Sequence, residues 1–277
     1  MNTIANSAFN HLDNLDASNR LWAQGIYNHA KQDATSSNDE YSANSTGLAF
    51  GADKDISENT TLGLGFAYIE TDAESANRDI TVQSHNFFVY GKYQPSKWYA
   101  KAMLNYSLAQ YEEDKNPLGV SLNGKYDLSY YSAQVMSGYE LDNGLTPEFD
   151  LRYLMVNADT YFDGIQEVSQ DKNDVLTAVL GAKYDKEINA DLPFKLKANA
   201  KLALTYDLMA DDYVSTAVVA GGNEYKTTSE KLNRFGVEGG VGLTGSIDNI
   251  DVSLEYNRAF RKDYNANGGM VKVKYNF

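Results

Sequence analysis

A chain of 277 residues with 38 acidic against 24 basic side chains carries a net charge of -14, which argues against nucleic acid as a partner, because phosphates are met by Lys and Arg that displace counterions. Cysteine is absent, so no disulfide framework or thiolate metal site can form. Mean hydropathy is -0.48 and no run reaches the roughly 18 apolar residues of a membrane helix, but strands that alternate lipid-facing and lumen-facing residues average to the same value, so the pattern has to be read by parity.

Met1, Asn2, Thr3 and Ile4 do not form a basic segment followed by an apolar core, which for an exported chain implies a mature fragment. Ile4, Ala8, Leu12 and Leu15 then recur at spacings of three and four, with Asn6, Asn10, Asp13 and Asp16 around the rest. That spacing predicts a helix over 3–18 with one narrow apolar stripe. Such a helix is marginal alone in water and needs a sheath. The alternatives are a plug inside a barrel lumen, or a disordered tail or linker. The expected division is a plug or linker helix over 1–19 and a barrel over 20–277.

From there, alternate-residue stripes follow one another. The first segments are Leu21 to Gln32, ambiguous in phase, and Thr46, Leu48, Phe50 and Ala52. Leu62, Leu64, Phe66 and Tyr68 come next, then an ambiguous stretch from Ile80 to Tyr93 in which Phe87 and Phe88 take opposite faces. Trp98, Ala100, Ala102, Leu104, Tyr106 and Leu108 oppose Lys101, Asn105 and Ser107. Tyr131, Ala133, Val135 and Tyr139 precede Leu145, Pro147, Phe149, Leu151, Tyr153 and Met155, which oppose Glu148, Asp150 and Arg152. Leu176 to Tyr184 and Phe194 to Tyr206 repeat the pattern, the latter opposed by Lys195, Lys197 and Lys201. Phe235 to Leu243 and Ile250 to Tyr256 follow. The chain ends on Gly269, Val271, Val273, Tyr275 and Phe277, a stripe with an aromatic last residue.

Stripes of about ten residues exceed the usual five or six of a globular strand and suit tilted membrane crossings. Counting them predicts an all-β membrane fold: an antiparallel transmembrane barrel of about twelve strands, with the amino-terminal helix in its lumen. Connections alternate in length. Short turns at 53–59, 94–96, 142–144, 186–191 and 246–248 alternate with long loops at 33–40, 72–79, 112–123, 158–173, 208–230 and 261–267. That asymmetry matches the periplasmic and extracellular ends of an outer-membrane barrel. The competing architecture is a sandwich with an aromatic core. Lys101, Glu148, Asp150, Arg152, Lys195, Lys197, Lys201, Arg234, Glu238 and Glu255 are expected to face the lumen and make it charged and wet. They can cross-link strands, hold the helix or merely solvate the wall.

Little else signals chemistry. His11, His29 and His85 lack metal-ligand spacing, and Ser84 and His85 point to opposite faces of a strand, so His85 reads as a surface residue and not as half of a Ser-His pair. Glycine clusters around Gly63 and Gly236 lack the helix of a phosphate loop. Acidic runs at Glu112 to Asp114 and at Asp211 and Asp212 fall short of a calcium cage. No cofactor, metal or catalytic residue is expected.

The chain resembles the translocator, or β-domain, of classical monomeric autotransporters of Gram-negative bacteria. The likeness lies in the helix, Trp22 and Ala23, then Gly47, Gly51 and Asp53, the pattern of Leu145, Pro147, Leu151 and Tyr153, and the aromatic end. The resemblance implies a twelve-stranded outer-membrane barrel around a helix, a monomer that exports and anchors its own passenger polypeptide. It implies insertion by the barrel assembly machinery, which would read Val271, Val273, Tyr275 and Phe277, and a surround of lipid bilayer and lipopolysaccharide. Some relatives cut their helix at an Asn-Asn bond using lumen carboxylates. Glu148 and Asp150 face the right way for acid chemistry, but the helix has no Asn-Asn pair, so that activity is not carried over. The competing functions are an outer-membrane hydrolase with a rim site at His29 or Asp212, and a diffusion pore or adhesin.

Overall fold

A computed structural model describes residues 2–13, 18–35, 39–116, 122–162, 166–188, 193–219, 224–229 and 233–277. Helix α1 spans Asn2–His11, shorter than its apolar spacing predicts. Leu12 and Asp13 close it as a turn, their N–H groups donating to Ala8 O and Asn10 O at 3.3 Å each. Leu15 falls outside the described residues.

The strands are β1 (Asn19–Gln32), β2 (Tyr41–Ser57), β3 (Thr60–Ser75), β4 (Arg78–Tyr93), β5 (Trp98–Lys115), β6 (Leu122–Tyr139), β7 (Leu145–Ala158), β8 (Tyr161–Phe162), β9 (Gln166–Gln170), β10 (Asn173–Ile188), β11 (Lys195–Ala210), β12 (Tyr213–Val219), β13 (Glu224–Ser229), β14 (Phe235–Ile247), β15 (Ile250–Arg261) and β16 (Tyr264–Asn276). Among the described residues, twelve of them close a barrel in the order β1-β16-β15-β14-β11-β10-β7-β6-β5-β4-β3-β2. Closure joins the ends of the chain: Leu21 pairs with Tyr275, Ala23 with Val273 and Gly25 with Val271, and Phe277 N–H donates to Asn19 O at 3.0 Å. A closed ladder leaves no edge groups unsatisfied in hydrocarbon.

The faces decide between barrel and sandwich. Leu62, Leu104, Leu151 and Leu202 are 52%, 60%, 36% and 64% exposed on the outer surface, whereas Lys101, Glu148, Asp150 and Arg152 on the opposite parity are buried. A sandwich core would reverse that distribution. The two ambiguous segments resolve the same way. In β1, Leu21 and Tyr27 point out while Trp22 and Ile26 point in; in β4, Phe87 and Val89 point out while Phe88 and Tyr90 point in.

Two of the expected long loops are corrected. The β3–β4 ladder runs to Ser75 opposite Arg78 and the β15–β16 ladder to Arg261 opposite Tyr264, so 72–79 and 261–267 are strand closed by tight turns, the second with Asp263 at φ 61°. Above the apolar belt both faces of a strand meet water, so the hydrophobic alternation stops while the hydrogen-bond ladder continues. The stretches 158–173 and 208–230 read from sequence as long loops. Instead they contribute a separate four-stranded sheet in the order β13-β12-β9-β8. Tyr161 of β8 stacks on Tyr126 of β6 at 4.1 Å, and Tyr126 on Tyr111 of β5 at 5.0 Å, so this sheet rests on the inner face of the barrel wall beyond the belt.

Candidate functional site

The lumen is the candidate site, and it has two unlike halves. On the β1 to β6 side the wall carries an apolar patch, which the expectation of a charged and wet interior did not anticipate. Trp22, Phe88, Tyr90, Tyr99, Met103 and Met136 form one buried cluster with Ile4, Ala8, Phe9 and Leu12 of the helix segment. The rings lie flat on neighbouring strands because glycine sits beneath them. A Cβ at Gly51 would penetrate the Trp22 indole, and one at Gly65 the Phe88 ring. Small backbone and large ring together leave a shallow trough in which one helical turn stacks on the next.

Polar contacts then fix the depth and rotation of α1. His11 is buried, and its Nε2 meets the Asp53 carboxylate. The other Asp53 oxygen accepts from Arg20 Nε, Tyr90 OH donates to Asp53 Oδ2 at 3.1 Å, and Trp22 Nε1 donates to Tyr90 OH at 2.7 Å. A buried carboxylate is tolerated here because three donors surround it. Around the end of the helix, Lys92 Nζ donates to Leu12 O at 3.0 Å and Lys101 Nζ to Phe9 O at 2.9 Å. These are the carbonyls that a helix leaves unsatisfied at its negative end. The Asp13 carboxylate lies between Lys101 of β5 and Lys183 of β10, the latter at 2.9 Å. Across the lumen, Asn10 Nδ2 donates to Glu255 Oε2 at 2.6 Å.

The opposite half of the lumen is charged and partly open. Arg152 Nε donates to Asp150 at 2.7 Å, and Arg152 Nη1 reaches both oxygens of Glu238 at 2.9 Å, a strut from β7 to β14. Lys201 pairs with Glu148 at 2.7 Å, and Tyr99 OH donates to the same carboxylate at 2.6 Å. Lys197 stands 3.6 Å from Asp185, and Glu255 3.9 Å from Lys272. A cavity of about 670 Å³ runs beside the helix, touching Asp13, Lys101, Lys183, Lys201 and Glu148.

Two predicted lumen charges are exposed at strand ends. Arg234 is exposed on a bend before β14 begins, past the point where strand parity applies, and Lys195 is exposed at the first position of β11. Arg261, whose guanidinium pairs with Asp207, is the arginine at that end of the wall. Val271, Val273, Tyr275 and Phe277 form an exposed outer stripe, with the last two rings stacked at 5.7 Å. His29 Nδ1 contacts the Asn44 amide at 2.8 Å, not a carboxylate, and Asp212 is exposed. Glu112 and Glu113 point to opposite faces, toward Lys125 and Arg78 respectively.

Parity could have found Lys183, which opposes the Leu176 to Tyr184 stripe. It could not have found Phe9 or His11, whose roles come from the wall they face, and Asp53 stood out by resemblance alone.

Comparison with known proteins agrees with this geometry. Residues 21–257 match the profile described as Autotransporter beta-domain. The chain is 25% identical to outer membrane protein A of Rickettsia conorii over 96% of its own length and 14% of that protein, so it spans a small part of the curated relatives it matches. The translocator domain of autotransporter NalP from Neisseria meningitidis superposes with a TM-score of 0.81 at 17% identity, covering 98% of this chain and 92% of that one. The transport unit of autotransporter AIDA-I from Escherichia coli gives a TM-score of 0.72 at 16% identity, covering 99% and 96%. At those identities the two structures speak for the fold.

Proposed function

We propose how this chain, which belongs to the autotransporter β-domain family, carries out its work. It is an outer-membrane translocator barrel. In our reading, residues 1–19 are the end of an exported passenger polypeptide, left in the lumen when export is complete, and residues 20–277 are the membrane anchor that exported it. The observation that carries this is the seat of α1. A helix with four buried apolar side chains, a buried histidine and a clamped aspartate fits a lumen that holds the end of its cargo. A diffusion pore has no use for such a fitting.

The partners follow from the same reading. The passenger lies ahead of residue 1, outside the region that the relatives share. The barrel assembly machinery recognises the final strand through Val271, Val273, Tyr275 and Phe277. Lipid and lipopolysaccharide surround the exposed belt. The reading takes the barrel as a monomer, which is compatible with each of its twelve strands having both neighbours within the chain. The reading includes no self-cleavage, because residues 2–13 contain no Asn-Asn bond. A rim hydrolase is disfavoured by the amide partner of His29.

The test is export itself. A secretory leader followed by a small protease-sensitive reporter, fused ahead of residue 1 and expressed in a Gram-negative host, should place the reporter on the cell surface, where added protease removes it from intact cells. A barrel that inserts normally while its reporter stays in the periplasm would overturn the reading.

A further inference from the structure

Two pairs of lysines in the lumen stand directly opposite each other across neighbouring strands: Lys92 with Lys101 on β4 and β5, and Lys183 with Lys201 on β10 and β11. Like charges at facing positions of a ladder destabilise it unless an anion lies between them. The helix supplies one. The Asp13 carboxylate binds Lys101 from one pair and Lys183 from the other, and the carbonyls of Phe9 and Leu12 take Lys101 and Lys92. The wall itself contributes Glu148 beside Lys201 and Asp185 beside Lys183 and Lys197. Near the end of the helix, four lysines in facing pairs, with Lys197 beyond them, meet three wall carboxylates, Glu148, Asp185 and, toward Lys92, Glu140, and Asp13 adds a fourth negative charge. The cavity of about 670 Å³ touches Asp13, Lys101, Lys183 and Lys201 together, so small ions can reach the same place.

From this juxtaposition we infer that the paired lysines form an anion site, and that a barrel freed of its helix is an anion-selective pore with its filter at Lys92, Lys101, Lys183 and Lys201. The ligands are small inorganic anions such as chloride and phosphate, which take the position of the Asp13 carboxylate. No covalent step is involved. The filter depends on the barrel wall and the helix seat alone, not on passenger export, so loss of export and loss of selectivity are separate outcomes.

Reversal potentials in planar bilayers across a KCl gradient test it, with heat-modifiable mobility showing that each protein is folded. A chain lacking residues 1–13 should prefer chloride to potassium by a factor on the order of three or more at low salt, where lumen potentials are weakly screened. The preference should shrink in molar salt, and inorganic phosphate should block the current. Lys183→Gln with Lys201→Gln in that background should bring the ratio close to unity and relieve the phosphate block. A shortened chain that is unselective or cation-selective, or whose selectivity survives those substitutions, would overturn the assignment. If the shortened chain does not insert, the full chain decides: Asp13→Asn should raise the chloride preference of its residual conductance, and an unchanged ratio refutes the filter.

Discussion

The indole of Trp22 lies across the backbone of Gly51 on the neighbouring strand, so closely that no β-carbon fits between them. This one approach ties barrel wall to helix, because the same ring is 5.5 Å from the His11 imidazole and donates to Tyr90 OH, which donates in turn to Asp53. Gly51→Ala must push the indole into the lumen or bend β2, and overpacking of this kind costs about 1–3 kcal/mol. The expected result is a lower urea midpoint for loss of the compact, heat-modifiable form. Gly25→Ala on the lipid face of β1, where a β-carbon would meet nothing within 4 Å, should stay within about 0.5 kcal/mol of the parent.

Phe9 of α1 and Leu12 of the turn that closes it are 1% and 0% exposed, although both sit in a water-accessible lumen. Truncating either to Ala removes ring or isobutyl contacts from the aromatic trough and costs about 2–5 kcal/mol of helix seating. The barrel ladder does not depend on those contacts, so the loss should appear as opening of the plug and not as unfolding. Single-channel conductance should rise and residues 1–13 should become cleavable by protease, while heat-modifiability persists. A variant with unchanged conductance and intact protection would show that the helix is held by its polar anchors alone.

Much of this architecture was legible in the sequence because lipid imposes a strict rule. Every second residue in the belt must be apolar, and stripes such as Leu62 to Tyr68 and Leu196 to Tyr206 obey it closely enough to be counted into twelve strands. Where lipid is absent the rule lapses. The upper parts of β3 and β4 read as a loop, because Asp72, Glu74 and Asp79 lie on strand faces that both meet water. The sheet of β8, β9, β12 and β13 has no belt to mark it, and its anchor, Tyr161 stacked on Tyr126, joins residues 35 positions apart in the chain. The lumen was half legible for a similar reason. Parity identifies Lys101, Glu148, Asp150 and Arg152 as inward, but β1 and β4 present aromatic side chains to both faces, so the apolar trough was hidden in their ambiguous phase.

Arg152 joins two carboxylates across the barrel, Asp150 on its own strand and Glu238 on β14. Replacing it with Gln removes the cation that links the two acids, although Gln134 still donates to Asp150 at 2.8 Å. Breaking a fully buried pair costs about 3–5 kcal/mol, and contact with the lumen cavity should reduce that toward the lower figure. The urea midpoint of Arg152→Gln should fall. The double change of Arg152→Gln with Glu238→Gln should recover much of the stability at neutral pH. Equal loss in single and double variants would mean that the strut contributes packing and not charge.

Phe277 is more than half exposed, stacks on Tyr275, and has its N–H on the Asn19 carbonyl at the seam where first and last strands meet. The ring adds nothing to the lumen and touches none of the helix anchors, so any importance it has must lie in lipid contact or in recognition before the barrel closes. Deleting Phe277 removes two seam hydrogen bonds, its N–H to Asn19 O and the one that Asn19 Nδ2 donates to its carbonyl at 3.3 Å, a loss of about 0.5–1.5 kcal/mol each that a long ladder can absorb. Substituting Ala keeps both bonds and removes only the ring. If the final strand is read during assembly, both variants should give less inserted, heat-modifiable barrel in cells, by several-fold, while purified protein refolded into detergent shows nearly parental stability. If both variants insert at the parental level, Phe277 is an ordinary belt residue; if both lose stability in detergent to the same degree as insertion, its role is structural and the strand carries no signal there.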